Sequence, residues 1–367
     1  MTDTATLPLP FTTTPSRAAK ADAEREAILA DPGFGKHFTD HMATISWSVD
    51  EGWHDARVVP YGPLQLDPAA AVLHSAQEIF EGLKVYRHAD GSIWAFRPEA
   101  NARRMQRSAE RLALPQLPEA AFGEAVKRLV EVDAAWVPSA PETSLYVRPF
   151  MIASEAFLGV RAAHGVDFHV IASPAGAYFP GGVRPVSIWL SQDYTRAGRG
   201  GMGAAKTGGN YAASLLPQAE ADEQGCQQVV FLDAEERRYV EELGGMNVFF
   251  VYGDGRVVTP SLSGTILEGI TRESVIRLAK ERGHTVEERR VPVDEWRDGV
   301  SSGEITEVFA CGTAAVITPI GVLKARDFEV GSLDAPAGAL TMSLREELTD
   351  IQYGRREDHH DWMVRLV

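Results

Sequence analysis

Lys206 stands in Gly200-Gly201-Met202-Gly203-Ala204-Ala205-Lys206-Thr207-Gly208-Gly209-Asn210-Tyr211. An amine in so small-sided a run has room for a bulky partner, and glycine lets backbone approach a ligand closely. Three chemistries compete there. A solvated loop lysine is the commonest fate of this residue type, because Lys is seldom buried. A phosphate-cradling loop is the second: Gly200-x-x-x-x-Ala205-Lys206-Thr207 is one substitution from G-x-x-x-x-G-K-[ST]. Val229–Leu232 followed by Asp233 even imitates the strand that ends in a magnesium-binding aspartate. Ala205, however, replaces the glycine that must wrap the phosphates, and Gly208-Gly209-Asn210 begins a helix poorly. The third is a Schiff-base lysine for pyridoxal phosphate. That chemistry also needs an acid at the pyridine nitrogen and anion donors for the phosphate.

The rest of the chain offers a candidate for each role. Tyr211 is placed to hydrogen-bond a ring oxygen. Glu242, in Glu241-Glu242-Leu243-Gly244-Gly245-Met246-Asn247, enters an apolar strand and is the better acid of the pair; Glu241 reads as a solvated turn residue. Gly269-Ile270-Thr271 leads into a helix, with Thr271 the expected N-cap and the free amides a phosphate site. Gly312-Thr313-Ala314-Ala315 is a small-residue turn whose amides suit an anion. Arg104 supplies a fixed charge, while its neighbour Arg103 faces solvent. No metal is called for.

These residues need rigid elements to hold them. Val85–Arg87 and Ser92–Phe96 read as a hairpin around Asp90-Gly91. Pro98 opens a helix whose apolar face carries Met105, Ala109 and Leu112. Leu145–Ile152, Asp167–Ala172, Val186–Ser191, Gln228–Leu232, Met246–Tyr252, Glu307–Cys311 and Val316–Ile320 read as strands. Asn210–Ala221 and Thr271–Arg282 read as helices, the second ended by Gly283. Strands and helices mix without a strict βαβ rhythm, which predicts an α+β fold with mixed sheets. The 367 residues exceed one ordinary core, so two domains are expected. The predicted limits are a flexible arm over 1–30, a small domain over 31–174, a loop over 175–185 and a larger domain over 186–367. A formal net charge of −15 disfavours nucleic acid and anionic membranes. The start of the chain has no apolar leader pattern, and no stretch is apolar enough to span a membrane. Cys226 and Cys311 stand far apart, which predicts reduced thiols and a cytoplasmic protein.

At these residues the sequence resembles the branched-chain aminotransferases, a fold-type IV pyridoxal-phosphate family, and especially their bacterial branch. The resemblance runs from about residue 46 to the C-terminus. It rests on Phe80-Glu81-Gly82-Leu83-Lys84, Phe96-Arg97-Pro98, Leu145-Tyr146-Val147-Arg148-Pro149, Gly176-Ala177-Tyr178-Phe179, Lys206 through Tyr211, Glu242 through Asn247, Gly269-Ile270-Thr271-Arg272 and Gly312-Thr313-Ala314. It implies that Lys206 is the Schiff-base lysine and proton shuttle, that Glu242 pairs with the pyridine nitrogen and that Tyr211 bonds the ring oxygen. Arg104, Ile270, Thr271 and Thr313 would hold the phosphate. Phe80, Tyr146, Tyr178, Ala314 and Ala315 would line the substrate pocket, with Arg148 meeting the side-chain carboxylate of glutamate. Leu158 and Val160 would reach the pocket of a partner subunit, since the family works as homodimers or larger assemblies. The implied reaction exchanges amino groups between Leu, Ile or Val and 2-oxoglutarate in two half-reactions. Ser75 departs from the family, where many members carry a tyrosine; a larger pocket and a shifted substrate choice are expected. Ala315 and Thr318 stand where the mammalian branch has a redox Cys-x-x-Cys. D-amino-acid aminotransferases and aminodeoxychorismate lyases are the alternatives within the fold, and Tyr146-x-Arg148 and the length favour the branched-chain reading. A P-loop NTPase is the alternative outside it. A non-catalytic binding protein would leave Lys206, Tyr211 and Glu242 unexplained.

Overall fold

A computed structural model describes residues 9–176 and 182–367. The chain divides into two units. The first comprises Met1–Pro180, Ala205–Gly208 and Ile351–Val367; the second comprises Gly181–Ala204 and Gly209–Asp350. Each is built on its own sheet, with helices packed against it, and the fold is the mixed α+β arrangement expected.

The first sheet holds β1 (Thr12–Thr13), β2 (His41–Ser48), β3 (Gly52–Pro60), β4 (Glu78–Phe80), β5 (Leu83–Arg87), β6 (Ile93–Phe96), β7 (Ser144–Ala153), β8 (Gly165–Ala175) and the C-terminal strand Met363–Arg365. Its order is β1-β3-β2-β8-β7-β5-β6 and then the C-terminal strand, with β4 paired to β7. β1 and β3 run parallel, and the other pairs run antiparallel. Helices α1 (Asp22–Ala30), α2 (Ala71–Ser75), α3 (Pro98–Arg111) and α4 (Glu119–Val132) belong to this unit. Met105 and Ala109 of α3 and Phe122, Val126 and Leu129 of α4 share one core with Ile45, Val58, Val85, Val147 and Phe168 of the sheet. Each such large side chain contributes about 1.5–3 kcal/mol on burial.

Period-two alternation decides what the sheet shows on its other face. Val147 is fully buried, and Tyr146 and Arg148 point the opposite way; Ile79 is fully buried, and Glu78 and Phe80 point away from it. Antiparallel pairing sets Phe80 opposite Phe150 and Lys84 opposite Tyr146. Three candidate residues, Phe80, Tyr146 and Arg148, therefore share one face of two neighbouring strands.

The second sheet holds β9 (Val186–Ser191), β10 (Gln228–Leu232), β11 (Tyr239–Leu243), β12 (Asn247–Tyr252), β13 (Val257–Pro260), β14 (Val286–Arg289), β15 (Val291–Pro292), β16 (Ile305–Gly312), β17 (Val316–Lys324) and β18 (Glu329–Gly331). Its order is β14-β13-β12-β16-β17-β9-β10-β11-β15, with β18 on β17, and it mixes parallel and antiparallel pairs. Phe249 and Phe309 stack at 5.0 Å across β12 and β16. Helices α5 (Gly208–Ala212), α6 (Leu215–Glu223), α7 (Ile270–Glu281), α8 (Val293–Ser302) and α9 (Ala339–Gln352) follow in chain order.

The expected single helix over Asn210–Ala221 is two, α5 and α6. Pro217 lacks an N–H and its ring crowds the preceding turn, so the chain breaks and restarts with Pro217 in the first turn of α6. The described part of the segment read as a flexible arm is tied down: Thr12–Thr13 pair with Arg57–Val58, and Leu9 and Phe11 pack on the first core. Residues 205–208 and 351–367 belong to the first unit, although the sequence reading ran one domain from 186 to the end. Among the described residues no helix is long and apolar enough to cross a membrane.

Candidate active site

Lys206 is half-buried, with its Nζ 4.8 Å from the centre of the Phe80 ring. Its amine is depressed to about 8, first by burial and then by the Arg104 charge, with Glu81 and Tyr146 opposing and Arg148 assisting. The aromatic ring between two cations is a second feature: the Arg148 guanidinium lies 4.8 Å from the same Phe80 ring and 5.3 Å from that of Tyr146. Arg148 Nη2 donates to the Tyr146 hydroxyl at 3.1 Å, and its Nε is buried without a partner. Gly82 makes this packing possible, because a Cβ there would run into the Tyr146 hydroxyl.

Arg104 is buried and spends two donors on Glu81, from Nε at 2.8 Å and from Nη2 at 2.7 Å. Asn101 donates to the same carboxylate at 2.7 Å. Burial pushes the Glu81 carboxyl up, but the Arg104 charge and hydrogen bonds outweigh it and hold it below the usual carboxylate range. Glu81 fixes Arg104, and the sequence reading gave it no such role. The signal that could have found it is the polar stripe Asn101, Arg104, Ser108 on a helix face otherwise apolar, at i, i+3 and i+7. Arg103 makes an exposed pair with Glu119 at 3.3 Å, as a solvent-facing arginine should.

In the second unit Glu242 lies on β11, buried, in an ion pair with Arg196 and accepting the Leu267 amide at 2.8 Å. Arg196 is also buried and donates to the carbonyls of Gly203 at 3.0 Å and Thr265 at 2.5 Å. Arg196 is a site residue that no motif marked. Glu241 is not the solvated turn residue expected: it is buried on β11 and accepts the Thr265 hydroxyl. Asn247 donates to the Leu267 carbonyl at 3.1 Å, and a Cβ on Gly269 would run into its side-chain oxygen. Glu241, Glu242, Arg196 and Asn247 together strap the segment 265–269, which presents the N-terminus of α7.

Helix α7 begins one residue earlier than expected. Ile270 and Thr271 lie inside it, both buried, and extended Gly269 is the N-cap without a side-chain bond, so Thr271 does not cap. The first-turn amides of Thr271 and Arg272 then point out of the helix with no acceptor in its own turns. Tyr211 is half-buried, its ring 3.6 Å from where a Gly245 Cβ would stand. Thr313, Ala314 and Ala315 form the turn between β16 and β17, closed by the Gly312–Val316 pair.

The remaining expected residues are Ser75, Leu158, Val160 and Tyr178. Ser75 ends α2, is exposed, and gives its hydroxyl to the Ala71 carbonyl at 2.8 Å. Leu158 and Val160 are 75% and 98% exposed. Tyr178 lies outside the described residues. The glycine run around Lys206 serves chain packing: a Cβ on Gly203 would run into the Thr265 backbone and one on Gly208 into Glu78. The phosphate-loop alternative fails on Asp233. Its carboxylate accepts the amides of Glu236, Arg238 and Tyr239 at 2.8, 3.0 and 2.8 Å, capping the turn from β10 to β11. The helix after Thr207 is also only five residues long.

The amino-transferase class IV family model matches residues 78–322. The branched-chain-amino-acid aminotransferase of Mycolicibacterium smegmatis is 61% identical over 363 residues, covering 98% of this chain and 99% of that protein. That of Mycobacterium tuberculosis is 58% identical over 362 residues, covering 98% of each. Among solved structures, the Escherichia coli branched-chain amino acid aminotransferase aligns with a TM-score of 0.73 at 28% identity, covering 89% of this chain and 100% of that one. The T.th. branched-chain amino acid aminotransferase, solved with pyridoxamine 5′-phosphate, aligns with a TM-score of 0.74 at 30% identity, covering 89% of this chain and 99% of that one. With a family model over most of its length and relatives this similar along nearly all of it, the chain belongs to the class IV aminotransferases, among the branched-chain-amino-acid aminotransferases.

Proposed function

We propose that the protein exchanges amino groups between Leu, Ile or Val and 2-oxoglutarate, with pyridoxal 5′-phosphate as cofactor and Lys206 as the reactive amine. The observation that carries this reading is the amine itself, depressed to about 8 among Arg104, Arg148 and the Phe80 ring. Near neutral pH a useful fraction of such an amine is unprotonated, both a nucleophile and a base. The donor set fits the cofactor. Glu242 is a fixed buried acid for a ring nitrogen, and the α7 N-terminus is a phosphate site. When bound, pyridoxal phosphate supplies the carbonyl carbon that takes the amino group and the ring that accepts the electron pair left at Cα.

The chain's own groups do the rest. With the cofactor bound, Lys206 Nζ would take the proton from the substrate Cα in the first half-reaction and return one to Cα in the second. Glu242, held by Arg196, pairs with the ring nitrogen, and Tyr211 bonds the ring oxygen. Ile270, Thr271 and Thr313 hold the phosphate with Arg104, whose orientation Glu81 fixes. Phe80, Tyr146, Tyr178, Ala314 and Ala315 receive the side chain. Arg148 meets the distal carboxylate of glutamate and rests against Phe80 and Tyr146 when the side chain is aliphatic, because an uncovered charge would reject it. Exposed Leu158 and Val160 complete the pocket of a second copy, in a homodimer working in the cytoplasm.

The test is a panel of amino donors with 2-oxoglutarate on cofactor-loaded protein. Leu, Ile and Val should lead, with a visible absorption band that Lys206→Ala removes. Absence of that band, or preference for D-amino acids, would overturn the proposal.

A further inference from the structure

Residues 205–208 group with the first unit, while Ala204 and Gly209 on either side belong to the second. Three tethers, all from the first unit, account for this. The Lys206 amide donates to Ser108 Oγ at 2.9 Å, and Ser108 is fully buried on the third turn of α3. The Lys206 carbonyl accepts the Phe80 amide at 2.9 Å, as an added rung beside β4. Just beyond, the Gly208 amide and the Thr207 hydroxyl, the latter at 3.2 Å, both donate to Glu78 Oε1. Thr207 is 1% exposed, and Gly208 has no room for a side chain because Glu78 fills it.

We infer that Ser108 and Glu78 are positioning residues for the transamination, a clamp that fixes the backbone of Lys206 on both sides. This rests on the reading of Lys206 as the reactive amine. A lysine that must accept and return a proton at one carbon gains from a fixed Cα, since small misplacements of a reacting group are costly. The bonds that Ser108 and Glu78 make to this segment go to two main-chain amides and the Thr207 hydroxyl, so they act through the lysine's main chain. Ser108 sits one helical turn beyond Arg104, so α3 registers the anion-binding arginine and the lysine on one rigid rod.

The full chain tests this with Ser108→Ala, Ser108→Thr and Glu78→Met, which keeps the side chain's length and removes its acceptor oxygens, each by two measurements. Residue-resolved amide hydrogen exchange of the unloaded protein reads the clamp directly. Loss of the acceptor should speed exchange at the Lys206 amide in Ser108→Ala, and at the Gly208 amide in Glu78→Met, by up to about tenfold. Steady-state kinetics of the loaded protein reads the consequence. Ser108→Ala should lower kcat by about tenfold with KM nearly unchanged and a larger Cα-deuterium isotope effect, and Ser108→Thr should restore both. If Ser108→Ala fails to fold, Glu78→Met decides by the same two readouts. Wild-type exchange and kcat in the folded variants would overturn the inference. So would a loss of kcat with an unchanged isotope effect that Ser108→Thr does not rescue. An inactive wild type lacking the Lys206-dependent band would instead overturn the functional reading, and the exchange data would still judge the clamp.

Discussion

The surroundings of Lys206 and those of Glu242 solve opposite electrostatic problems. Around Lys206 the first unit gathers two arginines and an aromatic ring, with a fully buried carboxylate, Glu81, committed to Arg104. Burial first, and then the Arg104 charge, make the protonated amine less favourable than in water and bring it to about 8. Around Glu242 the second unit does the reverse: one arginine and one backbone amide are spent on the carboxylate. The first is a device for losing a proton, the second for keeping a charge in a fixed place. Their construction differs too. The first depends on side chains from distant strands and one helix. The second depends on a strapped loop and glycines that admit neighbouring backbone.

The largest effect should come from removing the amine. Lys206→Ala should lower kcat by on the order of 10⁴-fold or more in a protein that still melts cooperatively; a loss of about tenfold would contradict the comparison. Next, Arg104→Met leaves Glu81 buried without its ion-pair partner. Denaturant unfolding should show a loss of about 3–5 kcal/mol, with Glu81→Gln added to Arg104→Met recovering much of it. Non-recovery would mean that Glu81 is not Arg104's partner in stability. The counterpart in the second unit is steric. Gly269→Ala should push Asn247 aside, disturb the α7 N-terminus, and weaken cofactor binding by a cost of about 1–3 kcal/mol, read by equilibrium titration. Unchanged affinity would detach that strap from phosphate binding.

A pH measurement sharpens the electrostatic half. A neutral amine is the labelled form, so modification of Lys206 in unloaded protein should rise with a midpoint near 8. Because the folded value lies below the usual 10.5, the unfolded chain holds the extra proton between these values, and this residue's contribution to stability grows as pH rises from about 8 to 10.5. Arg104→Met should move the labelling midpoint upward, since its charge is the second cause of the shift. The smallest effect is expected at Ser75, whose hydroxyl is occupied locally. Ser75→Tyr should change the ratio of kcat/KM between two branched-chain donors by no more than about tenfold; an unchanged ratio removes Ser75 from substrate choice.

Much of the fold was legible because it is locally encoded. Val186–Ser191 and Gln228–Leu232 are the strands that their apolar runs predict, and Pro98 opens α3 where its fixed φ suits a first turn. Lys206 and Glu242 were picked out as candidates by their small-residue contexts, and the start of α7 was misplaced by one residue, so that Thr271 lies inside the helix and does not cap it. What escaped was long-range pairing. Glu81 with Arg104, Arg196 with Glu242, and Ser108 with Lys206 join residues 23, 46 and 98 positions apart, and no local pattern specifies such partners. Glu241 was misjudged because a strand buried on both faces gives no alternation to read. The glycines around Lys206 were read as making space for a ligand, whereas Gly203 and Gly208 make space for Thr265 and Glu78.

The most direct test of Lys206 as the reactive amine is to load the protein with pyridoxal 5′-phosphate, reduce it with borohydride and map the modified peptide by mass spectrometry. The expected result is one cofactor per chain, on Lys206, with yield rising through about pH 8. Stoichiometric modification of another lysine, or none, would contradict it.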